Sequence, residues 1–319
     1  MDVLDEMLAS MRADGSLLCR SVAAPPWSIQ CTSEAPLSLG TLHRGTAWAL
    51  RPGAAPVRLN EGDIVLKRAS VPVTIADDPS VDPQIIIDGP NCWTPGDGPA
   101  PDLALGARAF GFDGDGPDQF ISADYPVRGA VSEPLLAALP EMAIVPRDAE
   151  IAPLLDLLAV EVGRDAPGQQ VVLDRLLDLL LVRVLRAWFA RPEAEAPAGY
   201  RALADPEIGR ALRALHAAPA RPWTVASLAA EAGLSRAVFA RRFAALVGQP
   251  PLAYLTGWRM ALAADLLAEP DASVTAVARR VGYADGFSFS AAFKRVRGVP
   301  PSAVPRSGAV DRFGHGGAA

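Results

Sequence analysis

The sequence predicts a multidomain α+β protein, with a β-rich N-terminal domain that ends in helices and an all-helical C-terminal domain. Three observations support this prediction. Short runs rich in Val, Ile and aromatic residues, separated by turn residues, occupy residues 15 to about 125. From Ile151 the apolar residues recur with a period of about 3.6. After residue 200, a segment of helix, glycine turn and helix occurs twice.

The composition is that of a globular protein long enough for two domains. Half of the 319 residues are apolar and 21% are charged, and no apolar run reaches the roughly 20 residues of a membrane span. The N-terminus, MDVLDEMLASMRADG, lacks the apolar core of a secretory signal. We therefore predict a cytoplasmic protein with no membrane partner.

The two halves of the chain differ in charge. Residues 1–199 carry 15 Lys/Arg against 28 Asp/Glu, whereas residues 200–319 carry 15 against 8. The first half has a net charge of -13 and the second of +7. A polyanion such as nucleic acid would be repelled by the first half and attracted by the second, so a nucleic-acid interface is expected only in the C-terminal half.

The N-terminal runs are typical of antiparallel strands. Asn60-Glu61-Gly62-Asp63 separates two of them as a tight turn, and the number of strands suits a small barrel or a sandwich. The predicted strands lie in the runs TAWALRPG, APVRLNEGDIVLKR, VPVTIADD, PQIIIDG and LALGARAFGFDG.

Two helices follow the strands. The first has an apolar stripe made of Leu154, Leu155, Leu158 and Val162. The second stripe is broader than one packed face of a small barrel should need, so we predict that the protein forms a homodimer through it. The residues predicted to form this dimer interface are Leu173, Leu177, Leu180, Leu181 and Val184.

The predicted domains are residues 1–190 and 201–306. The segment 191–200 is rich in Pro, Ala, Gly and Glu and is predicted to be a linker, because the charge changes sign there. Residues 307–319 are predicted to be a disordered tail.

The internal repeat pairs LAAEAGLSRAVFARRF, residues 228–243, with VARRVGYADGFSFSAAF, residues 277–293. Thr224, and Ser273 or Thr275, are predicted N-caps of the first helices, and Ser235 and Asp285 of the second helices. Prolines bracket a connecting helix, predicted from Leu252 to Ala268 and about 25 Å long. Two helices held about 34 Å apart enter successive major grooves of B-DNA.

The first copy and its connecting helix closely resemble the first module of AraC-type bacterial transcription regulators. The second copy resembles the second module of the same family, so the resemblance covers about 100 residues. It implies a double helix-turn-helix domain and a sequence-specific regulator, activator or repressor, with double-stranded DNA, a second copy and RNA polymerase as partners. The matching residues are Ser235, Phe239, Arg241, Phe243, Gly248, Pro251, Tyr254, Arg259 and Ala263, then Ala278, Gly282, Tyr283, Phe289, Ser290, Phe293, Lys294, Gly298 and Pro301.

The N-terminal half resembles the cupin-like sensor domain of some of these regulators. The resemblance lies in MDVLDEMLASMRADGSLLCR, PVRLNEGDIVL and EPLLAALPEMAIV. It implies a small β-barrel with trailing helices that responds to an unknown small-molecule effector. Cupin metal sites use several histidines, but this domain contains only His43, so we expect neither a metal nor a cofactor.

The candidate DNA-binding residues lie on both repeats and on the connecting helix. Arg241 is the predicted base reader, and Arg236 and Arg242 are assigned to phosphates. For Arg259, an alternative to DNA contact is that it braces the two modules through a carboxylate such as Asp285. The full predicted set is Ser235, Arg236, Ala237, Ala240, Arg241, Arg242, Arg259, Arg279, Arg280, Gly286, Phe287, Ser288, Ser290 and Lys294.

The second module departs from the family at two places. Ser290-Ala291 stands where the family usually has Ser-Arg, and Val304-Pro305 stands where it has Tyr-Arg. The second module should therefore contribute affinity through Arg279, Arg280 and Lys294, rather than sequence choice.

No catalytic constellation is visible, because the histidines are far apart and no G-x-S-x-G or phosphate-binding loop occurs. We therefore predict that the protein is not an enzyme. Two alternatives remain: a cupin-type enzyme with a DNA-binding appendage, and an architectural DNA-binding protein without a sensor. The three cysteines lack C-x-x-C spacing, which favours reduced thiols. A further hypothesis is that Cys19 and Cys92 sense oxidants through accessible thiolates.

Overall fold

The fold was analysed in a computed structural model. The chain divides into two compact units, one comprising Met11–Arg128 and Leu135–Ala196, and the other comprising Gly129–Pro134, Pro197–Ala319 and the first ten residues. No helix in the described part of the chain is long and apolar enough to span a membrane. The structure describes residues 7, 8, 11, 13, 17–68, 71–89, 91–96, 103–106, 108–111, 114–125, 129–197 and 199–306.

The first unit, Met11–Arg128 with Leu135–Ala196, is built mainly of strands. All five predicted runs contain strands. The structure adds six strands that the sequence did not predict individually, at Leu17–Ala23, Ser28–Cys31, Leu37–Arg44, Asn91–Trp93, Asp118–Tyr125 and Met142–Val145. The strands are β1 (Leu17–Ala23), β2 (Ser28–Cys31), β3 (Leu37–Arg44), β4 (Ala47–Leu50), β5 (Val57–Leu59), β6 (Ile64–Arg68), β7 (Val73–Ala76), β8 (Ile85–Asp88), β9 (Asn91–Trp93), β10 (Ala104–Gly106), β11 (Ala109–Gly111), β12 (Asp118–Tyr125) and β13 (Met142–Val145).

These strands form two mixed sheets. One has the order β10-β11-β1-β12-β3-β6-β13 and the other β5-β4-β7-β2-β8-β9. The pairs β1–β11 and β2–β8 are parallel, and the remaining pairs are antiparallel. The predicted β-rich domain is confirmed, but its described strands make two sheets rather than one closed barrel.

The core of this unit contains residues from both sheets. Leu42 and Phe120 of one sheet and Ala49 of the other belong to one cluster of buried side chains, together with Trp27. Gly40 leaves room for the Phe120 ring, since a Cβ at Gly40 would lie 2.3 Å from the ring. Burial of these apolar side chains is the main favourable contribution to the stability of the fold.

Three helices follow strand β12 along the chain: α1 (Glu133–Ala137), α2 (Ala152–Val162) and α3 (Gln169–Phe189). The two helices predicted from the sequence are confirmed as α2 and α3. The residues predicted to form the dimer interface are buried in this unit. They are at most 1% exposed, since α3 packs against α2 and β13, and Tyr125 Oη donates a hydrogen bond of 2.9 Å to the Leu177 carbonyl. Burial within the unit accounts for the breadth of the stripe, and the dimer interface stays a prediction. The buried residues are Leu173, Leu177, Leu180, Leu181 and Val184.

The second unit contains the two predicted repeats. Both have the predicted arrangement of two helices joined by a glycine turn, and the connecting helix begins at Pro251, one residue before its predicted start. The elements are a 3-10 helix (Arg201–Ala204), α4 (Ile208–Ala217), α5 (Val225–Ala232), α6 (Arg236–Val247), α7 (Pro251–Leu267), α8 (Val274–Arg280), α9 (Gly286–Arg297) and a 3-10 helix (Pro301–Ala303).

Side-chain caps define the starts of the four repeat helices. Thr224 and Ser273 cap α5 and α8, and Ser235 and Asp285 cap α6 and α9. Each cap accepts a backbone N–H that the first helical turn leaves unpaired. The predicted caps are confirmed, with Ser273 rather than Thr275 at α8. The predicted domain bounds stay a prediction, and the predicted tail 307–319 lies outside the described residues.

The two repeats share the same aromatic packing. Phe239 and Phe243 of α6 are fully buried with ring centroids 5.5 Å apart, and Phe289 and Phe293 of α9 are fully buried with centroids 5.7 Å apart. In both helices the pair is spaced by four residues, which places the two rings on one face. The opposite faces of α6 and α9 are thereby left toward solvent.

Candidate nucleic-acid interface and ligand cavity

The solvent face of α6 (Arg236–Val247) presents one long donor among small residues. Arg236, Ala237 and Arg241 are exposed, and Ala240 is half-buried. Arg241 has no hydrogen-bond or ion-pair partner in the described part of the chain. Its planar guanidinium can therefore approach the O6 and N7 atoms of a guanine. The small side chains beside it permit a close approach of the helix to the groove.

The solvent face of α9 (Gly286–Arg297) is poorer in donors. Phe287 is 88% exposed and stands beside the exposed Ser288. The Ser288 hydroxyl donates to Asp285 Oδ2 over 2.8 Å, and the Ser290 hydroxyl donates to the Gly286 carbonyl over 2.7 Å. Both hydroxyl protons are thus used at the start of the helix, which leaves Lys294 and Arg295, both near its end, as the long donors of this face.

A positive rim surrounds the second module. Arg279, Arg280, Lys294 and Arg295 are exposed, and Arg280 lies 3.9 Å from Glu269. Arg297 behaves differently, because it forms two hydrogen bonds of 2.7 and 2.8 Å with the Glu133 carboxylate. The bond to Glu133 raises the pKa of Arg297. Exposed cations of this kind are suited to phosphate contacts, which carry no sequence information.

The structure assigns Arg242 to a network within the unit. Its guanidinium contacts Glu207 and lies 2.9 Å from Asp205 Oδ2. Because two carboxylates hold it, Arg242 offers less charge to DNA than Arg236 or Arg241. Its assignment to phosphate stays a prediction, and the geometry favours a structural role.

Arg259 on the connecting helix α7 (Pro251–Leu267) does brace its surroundings, but through backbone carbonyls. Its Nε donates to the Pro219 carbonyl over 2.7 Å, and one terminal nitrogen donates to the Arg221 carbonyl over 2.8 Å. The expected carboxylate partner, Asp285, instead caps α9. Burial lowers the pKa of this half-buried guanidinium. Arg259 thus fixes the segment before the first module against α7.

The β-rich unit contains a partly open cavity of about 240 Å³. Most of its wall is apolar and comes from both sheets. Lys67 is 4% exposed and lies on this wall together with Asp124. Sequence reasoning missed both residues, although a lysine inside the apolar run IVLKR was a usable signal. The apolar wall residues include Leu18, Leu39, Val65, Ile75, Ile87 and Phe120.

All three cysteines also line this cavity. Burial raises the pKa of the Cys31 thiol to about 12 and raises the pKa values of Cys19 and Cys92. A thiolate is therefore disfavoured at each site, whereas oxidant-sensing cysteines depend on an accessible thiolate. The hypothesis of thiol sensing by Cys19 and Cys92 stays untested, and the local chemistry does not favour it. Within the described residues, no group of three His, Cys, Asp or Glu side chains is arranged to hold a metal ion.

Comparisons with known proteins identify both halves of the chain. Residues 2–190 match the Cupin family and residues 228–307 match the Helix-turn-helix domain family. Putative AraC-like transcription regulators of Streptomyces lividans and Streptomyces antibioticus are 33% and 32% identical to this chain, over 94% of it and 97% of their own lengths. The DNA-binding domain of the global transcriptional factor AdpA, solved with a target DNA, is 37% identical over 31% of this chain and 89% of that chain, with a TM-score of 0.29. The chain belongs to the AraC-like transcription regulators and combines an N-terminal cupin domain with a C-terminal DNA-binding helix-turn-helix domain.

Proposed function

We propose that this regulator recognises the bases of its operator mainly through α6 (Arg236–Val247). The second recognition helix, α9 (Gly286–Arg297), contacts mainly the phosphates of the neighbouring DNA. The observation that carries the proposal is the exposed Arg241, which lacks a partner in the described residues, on a face of small side chains. The corresponding face of α9 offers Phe287, Lys294 and hydroxyls already bonded to their own helix. Base reading and phosphate binding are thus divided between the two modules.

Charge supports the same assignment. Residues 200–319 carry seven more basic than acidic side chains, so the helical unit attracts DNA while the acidic N-terminal half does not. We propose that the N-terminal cupin domain binds a small-molecule effector, that the protein acts in the cytoplasm on RNA polymerase at promoters, and that it is not an enzyme. An architectural DNA-binding protein would not need a domain with a largely apolar cavity.

A footprint of the full chain on its own promoter tests the proposed function. We expect two protected major-groove segments per site, on one face of the duplex and about one helical turn apart. Binding should weaken steeply as salt increases, because phosphate contacts release counterions. Uniform protection without sequence preference would support the architectural alternative instead.

We also propose that the protein is a homodimer, through exposed rather than buried residues of α2 (Ala152–Val162) and α3 (Gln169–Phe189). Leu157 and Val160 of α2 and Val171, Val172 and Leu179 of α3 are between 44 and 61% exposed. Apolar side chains left in water by one chain gain free energy when a second copy covers them.

Changing both Val172 and Leu179 to arginine is therefore expected to give monomers in sedimentation experiments. Arg186→Glu on the same helix, at another exposed position, is the control and should leave the sedimentation coefficient unchanged. A dimer that persists in the double variant places the interface elsewhere.

A further inference from the structure

We propose that the cavity of the β-rich unit binds a neutral molecule of about ten non-hydrogen atoms with an apolar body and one head that both donates and accepts hydrogen bonds, as in a primary amide. This inference rests on the proposed function, since it names the chemical class of the effector. It follows from the size of the cavity, from a polar row on its wall and from the balance of buried charge.

The size and the wall set the body of the ligand. The cavity of about 240 Å³ is slightly smaller than the roughly 300–1,000 Å³ of typical small-molecule pockets, so it suits a small ligand. Its wall contains Leu18, Leu39, Val65, Ile75 and Phe120, which bind apolar groups but offer no hydrogen bond. An apolar body buried there is removed from water, and this is the usual source of affinity in such pockets.

The sheet register places three polar residues in one row. Asp124 of β12 pairs with Ser38 of β3, and Ser38 pairs with Lys67 of β6. Directly paired residues of neighbouring strands point to the same face, so the three side chains share the cavity wall. The row is therefore fixed by backbone pairing rather than by a flexible loop.

The row keeps hydrogen-bonding capacity available. Lys67 Nζ donates one bond of 2.7 Å, to the Ser33 carbonyl, and Ser33 Oγ donates 2.6 Å to Asp124 Oδ2. Among the described residues, the buried hydroxyl of Ser38 has no hydrogen-bond partner, and the bond from Ser33 to Asp124 occupies only Oδ2. An ammonium group has three donors and a carboxylate only accepts. A ligand head with a carbonyl toward Lys67 and an N–H toward Asp124 would satisfy both.

The surrounding charges favour a neutral head. Burial lowers the pKa of Lys67, and the charges of Asp124 and Asp88 oppose this effect. Arg108 also lies on the wall, where its guanidinium donates to Gln170. Within the row, Lys67 and Asp124 balance each other, so a carboxylate head placed against the row would add an uncompensated negative charge and an amine an uncompensated positive one. Burying an uncompensated charge costs more than burying a neutral group whose hydrogen bonds are satisfied.

Three probes with the same apolar body test the inference on the full chain: 2-phenylacetamide, phenylacetate and 2-phenylethylamine. In calorimetric titrations the amide is expected to bind about tenfold more tightly than either charged probe. It should also raise the midpoint of thermal unfolding, because it binds only the folded unit. Equal or tighter binding of phenylacetate, or binding of none of the three, would overturn the inference.

Variants locate the binding site. Lys67→Met keeps the length of the side chain but removes the donor, and is expected to weaken amide binding about tenfold. Ser38→Ala is a second, smaller change that should weaken amide binding less. If the Lys67→Met protein does not fold, the Ser38→Ala protein provides the test. Arg58→Met, at an exposed position of β5 (Val57–Leu59), is the matched control and should bind the amide normally.

Amide binding that is unchanged in a folded Lys67→Met or in Ser38→Ala would show that the row does not hold the ligand. The promoter footprint is recorded on the same samples. A normal footprint with no probe bound refutes the ligand class alone, and bound amide without a footprint refutes the proposed DNA-binding function alone.

Discussion

Replacing Phe243 with alanine is expected to lower the free energy of unfolding of the helical unit by about 3–5 kcal/mol and to reduce DNA binding strongly. Phe243 is fully buried, and its ring centroid lies 5.5 Å from that of Phe239 and 5.8 Å from that of Tyr254. It therefore joins α6 (Arg236–Val247) to the connecting helix α7 (Pro251–Leu267). Loss of the ring leaves a cavity at this junction, and the solvent face of α6 loses its fixed position.

Denaturant unfolding followed by circular dichroism measures the effect. Leu246→Ala is the matched control, because Leu246 lies on the same helix but is 42% exposed. Substitutions at such surface positions usually change stability by no more than about 0.5 kcal/mol. Equal unfolding midpoints for the Phe243 and Leu246 variants would contradict the packing described for the first module.

Arg241→Ala is expected to weaken operator binding by about 1–3 kcal/mol and to relax the sequence preference at one or two base pairs. The reason is that a bidentate guanidinium–guanine contact discriminates against the other bases. Lys294→Ala should weaken binding to all sequences alike and reduce the magnitude of the salt slope by about one, because a phosphate contact carries no sequence information.

Arg213→Ala is the control for these two variants. Arg213 is exposed on α4 (Ile208–Ala217), outside the two helix-turn-helix repeats, and donates to the Leu203 carbonyl, so its loss should leave affinity and preference unchanged. If Arg241→Ala weakens all sequences equally, as Lys294→Ala is expected to do, then Arg241 contacts phosphate and the base reader is another residue.

Local signals in the sequence predicted the helical unit well. Each repeat has its own caps, its own glycine turn and its own pair of buried aromatic residues, all within about twenty residues of sequence. Gly233 and Gly282 both adopt positive φ values, +70° and +86°, at equivalent turns. Because caps, glycine turns and aromatic pairs depend on residues close together in the chain, they could be predicted directly from the sequence.

The strands that hold the cavity could not be read in the same way. β3 (Leu37–Arg44) and β12 (Asp118–Tyr125) lie in the middle of a sheet, and the apolar alternation is broken by residues such as Ser38 and Asp124 that face the cavity. Lys67 comes into register with these residues only when β6 pairs with β3. Long-range pairing of this kind leaves no local pattern, so the sequence offered Lys67 as an isolated signal but not the row that it forms with Ser38 and Asp124.

The sequence could not show what covers the broad apolar stripe of the second predicted helix, for a related reason. A broad apolar stripe on one helix indicates that several faces of the helix are buried. It does not show whether they are buried by elements of the same chain or by a second chain. In α3 (Gln169–Phe189) the cover is provided by α2 (Ala152–Val162), by β13 (Met142–Val145) and by Tyr125 of the same unit. Burial within one chain and burial between two chains give the same pattern of residues.

The proposed roles, base recognition by α6 and phosphate contact by α9, are tested most directly by a complete base-substitution scan of a footprinted half-site. For each base pair the affinity of the full chain is measured against all four bases at constant salt, since affinities at different salt concentrations are not comparable. The geometry of Arg241, with the hydroxyls of Ser288 and Ser290 bonded within α9, predicts that discrimination is concentrated in the groove segment contacted by α6 and is weak in the other. Equal discrimination in both segments would contradict this account and would show that α9 reads bases.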